Sequence, residues 1–100
     1  MDAAEPYKIN LAFKEIEKPF NLTVRNSDEE RILRTAAEMI NTSFEGYKKR
    51  LAGMDKVSYY AMVALLMTRR FIEVSEKKSE IEISLENLEK EISTYLNENK

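Results

Sequence analysis

From Asp55 to the C-terminal residue of this 100-residue chain there is neither a glycine nor a proline, and a heptad repeat runs through the stretch. With position a at Val57, Ala64, Phe71, Lys78, Leu85 and Ile92, position d falls at Tyr60, Met67, Val74, Ile81, Leu88 and Tyr95. Lys78 is the single charged residue in that series. Six unbroken heptads predict a coiled coil. A helix from Asp55 to about Leu96 would be roughly 60 Å long at 1.5 Å per residue. So small a protein cannot cover such a helix by itself. The stripe would stay wet unless another helix packed on it, which makes self-association close to a physical requirement.

The two halves of this helix differ. Between 57 and 72 the apolar set also takes in Ala61, Met62, Val63, Leu65, Leu66 and Ile72, nearly all round the helix. That part is expected to be buried on several sides. Beyond Glu73 the stripe narrows to a and d, with charges between. Ile83 and Leu96 lie off the seam and point to a broader contact, as in a four-helix bundle.

Ahead of the helix, Tyr7, Ile9, Leu11 and Phe13 alternate with Lys8, Asn10 and Ala12, and Phe20, Leu22 and Val24 alternate with Asn21, Thr23 and Arg25. Period two marks half-buried strands. The connection Lys14–Pro19 makes them an antiparallel hairpin over 7–25. Pro19 has no amide hydrogen for a ladder and suits a strand end. A lone hairpin is marginal in water, so its apolar face needs a cover.

Ser27-Asp28-Glu29-Glu30 fits the capping box S-x-x-E, with Ser27 as the expected cap. Behind it Ile32, Leu33, Ala36, Ala37, Ile40, Phe44, Tyr47 and Leu51 fall at spacings of three and four, predicting a helix over 28–51. Gly53 is the expected left-handed stop, and Asp55 the cap of the second helix. The fold class is therefore α+β, mostly α, in the order β-β-α-α. A head of residues 1–72 (hairpin 7–25, helix 28–51, start of the second helix 55–72) precedes a coiled-coil extension, 73–100.

Composition excludes much chemistry. Cys, His and Trp are absent, which removes disulfides, thiolate metal sites and the commonest general base and metal ligand. No enzyme, cofactor or metal is expected. Glu73, Glu76 and Glu80 beside Lys77 and Lys78 read as a solvated, salt-bridged helix face. The net charge of −2 is unevenly spread. Residues 1–72 hold twelve Lys/Arg and ten Asp/Glu, +2, and residues 73–100 hold four and eight, −4. Dedicated nucleic-acid binders are usually basic. Ribbon–helix–helix repressors share the order strand, helix, helix, but they need basic residues on the outer strand face. Here that face offers Lys8, Asn10 and Ala12. The longest apolar run, Tyr59–Met67, is too short to span a bilayer, and the acidic N-terminus is unlike a signal peptide. A soluble, cytoplasmic protein with neither nucleic-acid nor membrane partners is expected. Two clusters of cations are candidates for an acidic partner: Lys48-Lys49-Arg50, which also complements the helix dipole, and Lys14 and Lys18 at the hairpin tip, which also suit a solvated turn.

The whole pattern resembles the ZapA family of bacterial cell-division proteins over about residues 7–97. Four features carry the resemblance: the apolar-alternating hairpin, the acidic cap and Ala-Ala helix (DEERILRTAAEMINTSFEGYKKR), the segment YYAMVALLMTRRFIE, and the long terminal coiled coil. Family hairpins usually turn through a glycine next to a basic residue, where this chain has the longer Lys14–Pro19 connection. The resemblance implies a non-enzymatic protein at the division site that binds the tubulin-like GTPase FtsZ and crosslinks its protofilaments. It implies heads that dimerise and long helices that join the dimers into an antiparallel tetramer. The corresponding partner-binding positions are Lys14, Lys18, Lys48 and Arg50. The oligomer interface would use Val57, Tyr60, Ala64, Met67, Phe71, Val74, Ile81, Leu85, Leu88, Ile92 and Tyr95. Two readings from other classes stand beside it: a small strand-helix-helix nucleic-acid-binding dimer, and a generic coiled-coil adaptor with another protein partner.

Overall fold

The computed structural model describes residues 5–98, apart from the side chains of Tyr95, Leu96 and Glu98. Its elements follow the expected order: β1 (Tyr7–Leu11), β2 (Phe20–Val24), α1 (Ser27–Arg50) and α2 (Lys56–Glu98). The strands pair antiparallel with Tyr7 opposite Val24, Ile9 opposite Leu22 and Leu11 opposite Phe20. This register puts all six apolar residues on one face. Only part of that face is covered within the chain. Ile9, Leu11 and Val24 are buried together with Ala37 of α1, and Phe13 and Leu33 pack against them. Phe20 and Leu22 remain exposed, with the Phe20 ring 5.2 Å from that of Phe13.

The cap of α1 lies one residue earlier than the sequence pattern suggests. Asn26, in extended conformation, accepts from the Glu29 amide at 2.8 Å. Glu29 in turn accepts from the Arg25 amide at 2.9 Å and pairs with the Arg25 guanidinium. Asn26 thus makes the first half of a capping box, while Glu29 reaches back one residue beyond the cap, to Arg25. Glu30, the expected partner of Ser27, is claimed instead by the Tyr7 hydroxyl at 2.7 Å and by Arg34. The buried face of α1 is also narrower than expected. Ala37 and Phe44 are buried, whereas Ile32, Ala36 and Leu51 are exposed. The hairpin covers the Leu33–Ala37 side, and Ile32 and Ala36 lie to one side of that line of contact.

Gly53 takes the left-handed conformation, φ 93°, which reverses the chain after α1 at no Cβ cost. Asp55 caps α2, accepting from the Ser58 amide at 2.8 Å. The first turns of α2 close a second apolar group. Phe44 meets Tyr59 edge-on at 5.5 Å and lies 4.6 Å from the Tyr60 ring. Tyr59 and Val63 are buried, and the Tyr59 hydroxyl donates to the Leu51 carbonyl at 2.6 Å. The expected burial on several sides over 57–72 does not occur within one chain: Val57, Leu65, Phe71 and Ile72 are exposed. The chain divides into two compact units, Met1–Ala64 and Leu65–Lys100.

Candidate partner-binding surface

Between β1 and β2 the chain makes the turn Phe13–Ile16, closed by the Ile16 amide donating to the Phe13 carbonyl at 3.2 Å. Glu15 occupies the third position of that turn with φ 61°, the one non-glycine residue with positive φ among the described residues. Side chains from both helices hold the turn in place. Asn41 of α1 donates to the Ala12 carbonyl and accepts from the Lys14 amide, both at 3.0 Å. Tyr60 of α2 donates its hydroxyl to the Lys14 carbonyl at 2.6 Å. Lys56 donates to the Glu15 carbonyl at 3.0 Å. Three long-range hydrogen-bonding side chains thus take up backbone groups that a hairpin loop would otherwise leave to water.

The cations singled out by the sequence fall into this frame unequally. Lys48 forms an ion pair with the Glu15 carboxylate. That hydrogen bond, and the negative charge behind it, hold the Lys48 ammonium above its usual 10.5. Lys48 and Lys56 thus both reach Glu15, one at its carboxylate and one at its carbonyl, while Lys14, the preceding residue of the turn, borders a groove against α1. Arg50 lies with its guanidinium 5.0 Å from the Tyr47 ring centre and 3.4 Å from the Gly46 carbonyl, at the end of α1. Lys18 is exposed farther along the loop and makes no ion pair among the described residues. Burial, and the charges of Glu15 and Glu45, push the Tyr60 hydroxyl above its usual 10.0. The phenol therefore stays protonated at neutral pH and serves as a donor to Lys14.

Sequence reasoning places Glu15 at the hairpin tip without its partner Lys48, and it missed Asn41, Lys56 and the Tyr60 hydroxyl. The signal that was available is Glu15 itself, a charged residue where a turn favours glycine. Beside the cluster, a surface groove of about 740 Å³ runs between the end of β1 and α1, lined by residues including Asn10, Lys14, Arg34, Glu38, Asn41 and Lys49. Among the described residues, no group of three or more acidic side chains is placed to hold a metal ion.

The second candidate surface is the α2 seam. Val57 and Phe71 are 71% exposed, Val74 67%, and Ile81, Leu85, Leu88 and Ile92 between 50% and 56%. Ala64 is also exposed, while Tyr60 and Met67 are half-buried. The Tyr95 side chain lies outside the described residues. Val74 and Ile81 border a shallow, largely apolar hollow with the stems of Lys77 and Lys78.

The family model for cell division protein ZapA matches residues 16–99, from the end of the turn to the penultimate residue. The chain belongs to the ZapA family. It is thus a cell-division protein of an FtsZ-associated, non-enzymatic family that works in the cytoplasm at the division site. The long α2 fits the coiled coil of the family. No curated protein and no solved structure matches the chain. The match begins after Glu15, so Lys14 and Glu15 lie outside it, whereas Lys18, Lys48 and Arg50 lie within. Among the described residues no helix is long and apolar enough to cross a membrane.

Proposed function

We propose that this protein binds FtsZ filaments at mid-cell and crosslinks them as a homotetramer. In this reading the heads, residues 1–72, dimerise, and the extensions, 73–100, join two dimers through the a and d seam. Lys14, Lys48, Arg50 and Lys18 present positive charge to an acidic face of the filament. The observation that carries the reading is the exposed apolar seam of a 43-residue helix in a ZapA-family chain. Side chains such as Phe71, Ile81 and Leu88 are left in water by the single chain, and a partner helix would remove that cost. Two binding ends on one assembly raise avidity without any new contact, provided both ends can engage at once.

Co-pelleting with purified FtsZ and GTP, with a GTP-free control, tests this directly. GTP-dependent recovery in the pellet, with more polymer pelleted, is the expected result. Lys48→Glu with Arg50→Glu should weaken co-pelleting about tenfold or more while the oligomer mass is unchanged, since two reversed charges oppose an acidic surface. A folded protein that stays in the supernatant overturns the reading. Normal bundling by the double variant moves the binding surface elsewhere.

A further inference from the structure

Glu15 combines three features that a solvated loop residue does not need together. It adopts a backbone conformation that side-chain-bearing residues disfavour. Its carboxylate is placed on Lys48, 33 residues away in sequence. Its own carbonyl is held by Lys56, 41 residues away. The pair is open to solvent, with the Lys48 side chain 49% and the Glu15 side chain 38% exposed. It is therefore no buried structural bridge, and an incoming group can reach both members. A carboxylate held against a lysine is also the simplest mimic of what an acidic partner surface would bring to that lysine.

We infer that Glu15 is an internal stand-in for an acidic group of the partner: it occupies Lys48 in the unbound protein and must be displaced when a partner carboxylate engages that cation. The inference rests on the partner-binding role proposed for Lys48. Displacement costs little, because rotation of the Glu15 side chain releases Lys48 while Lys56 and Tyr60 still hold the turn by its carbonyls. What remains is the freed Lys48 ammonium, with Lys56 still on the Glu15 carbonyl and Glu45 of α1 as the nearby acidic residue that also acts on Lys48. An exposed ion pair outweighs its open form by a factor of about 1.5 to 5. Binding that needs the open form is weakened by the fraction occupied, so removing the Glu15 charge should tighten it about two- to sixfold. Glu15 thereby lowers the affinity of the head for its partner.

The test compares Glu15→Gln with Glu17→Gln in FtsZ co-pelleting titrations at low salt, alone and in a Lys48→Ala background. Gln keeps the size and the turn of Glu15, and circular dichroism checks the fold. Glu17→Gln makes the same change in net charge in the same loop, at a residue that forms no ion pair among the described residues. The expected result is a two- to sixfold gain for Glu15→Gln, a smaller gain for Glu17→Gln, and no difference between the two once Lys48 is alanine. Equal gains from the two variants in the native background, or no gain from Glu15→Gln while the unaltered protein binds, overturn the inference and leave the functional reading standing. Failure of every protein to pellet with filaments removes both.

Discussion

Phe44 and Phe71 are the same residue on two helices of one chain, and they meet opposite fates. Phe44 is fully buried, between the hairpin side of α1 and the first turns of α2, against Tyr59 and Tyr60. Phe71 leaves most of its side chain in water, as does Val74, and Ile81 and Leu88 farther along α2 are about half exposed. The unit up to Ala64 closes its own core with Ile9, Leu11, Val24, Phe44, Tyr59 and Val63. The unit from Leu65 onward arranges its apolar residues in a stripe and closes nothing by itself. Apolar residues stabilise only where something covers them. The first unit covers most of its apolar core from its own sequence, leaving Phe20 and Leu22 exposed, and the second covers none of its stripe.

The sharpest way to break this contrast is Phe44→Ala. Truncating a fully buried aromatic side chain costs about 3–5 kcal/mol, enough to unfold a marginal small domain. Urea denaturation followed by near-ultraviolet circular dichroism should show the head lost or its midpoint sharply lowered. Ile81→Glu, or equally Leu88→Glu, should leave that signal intact and act on assembly instead. A charge set into an apolar seam should raise the dissociation constant of the oligomer about tenfold or more. Light scattering at varied concentration should then report a lower mass, and an unchanged mass rejects the heptad register.

Smaller effects sharpen the description of the head. Asn26→Ala removes the α1 cap and should cost about 1 kcal/mol, whereas Ser27→Ala should cost only a few tenths. Thermal melts of the two variants decide between the caps, and the reverse order would restore Ser27. The smallest effect is on pH dependence. Hydrogen bonds from the Arg25 backbone and guanidinium hold the Glu29 carboxyl below its usual 4.5. The Tyr7 hydroxyl and Arg34 do the same for Glu30, and the Ser58 amide and hydroxyl hold Asp55 below 3.8. Groups depressed on folding contribute stability that is present above the unfolded value and lost as pH falls through the folded one. The melting temperature of the head should therefore decline as pH drops below about 4.5, and less steeply in Glu29→Gln. For Lys48 the sign is opposite. Its raised value makes the Glu15 contact fully effective below about 10.5 and lost as pH climbs through the folded value.

The order hairpin, helix, helix could be read from periodicity alone. Alternation over Tyr7–Phe13 and Phe20–Val24, and three-and-four spacing from Leu33 to Tyr47, depend only on which face a backbone of given repeat presents. The breaks at Gly53 and Asp55 were equally readable, because their effects act within a few residues. So was the α2 seam, which a period of 3.5 places on one side of a helix whatever surrounds it. Other choices needed the hairpin to land on α1. Two overlapping patterns, Asn26 with Glu29 and Ser27 with Glu30, competed for the same cap. The second lost because Tyr7, brought in by β1, takes Glu30. Ile32 and Ala36 fit the helical stripe as well as Ala37 does, yet stay exposed because the strands cover only one side of it. The Glu15–Lys48 pair and the Lys56 contact join residues 33 and 41 positions apart. No local pattern encodes such a meeting, since charge has no period and the partners are set by where two rigid elements come to rest.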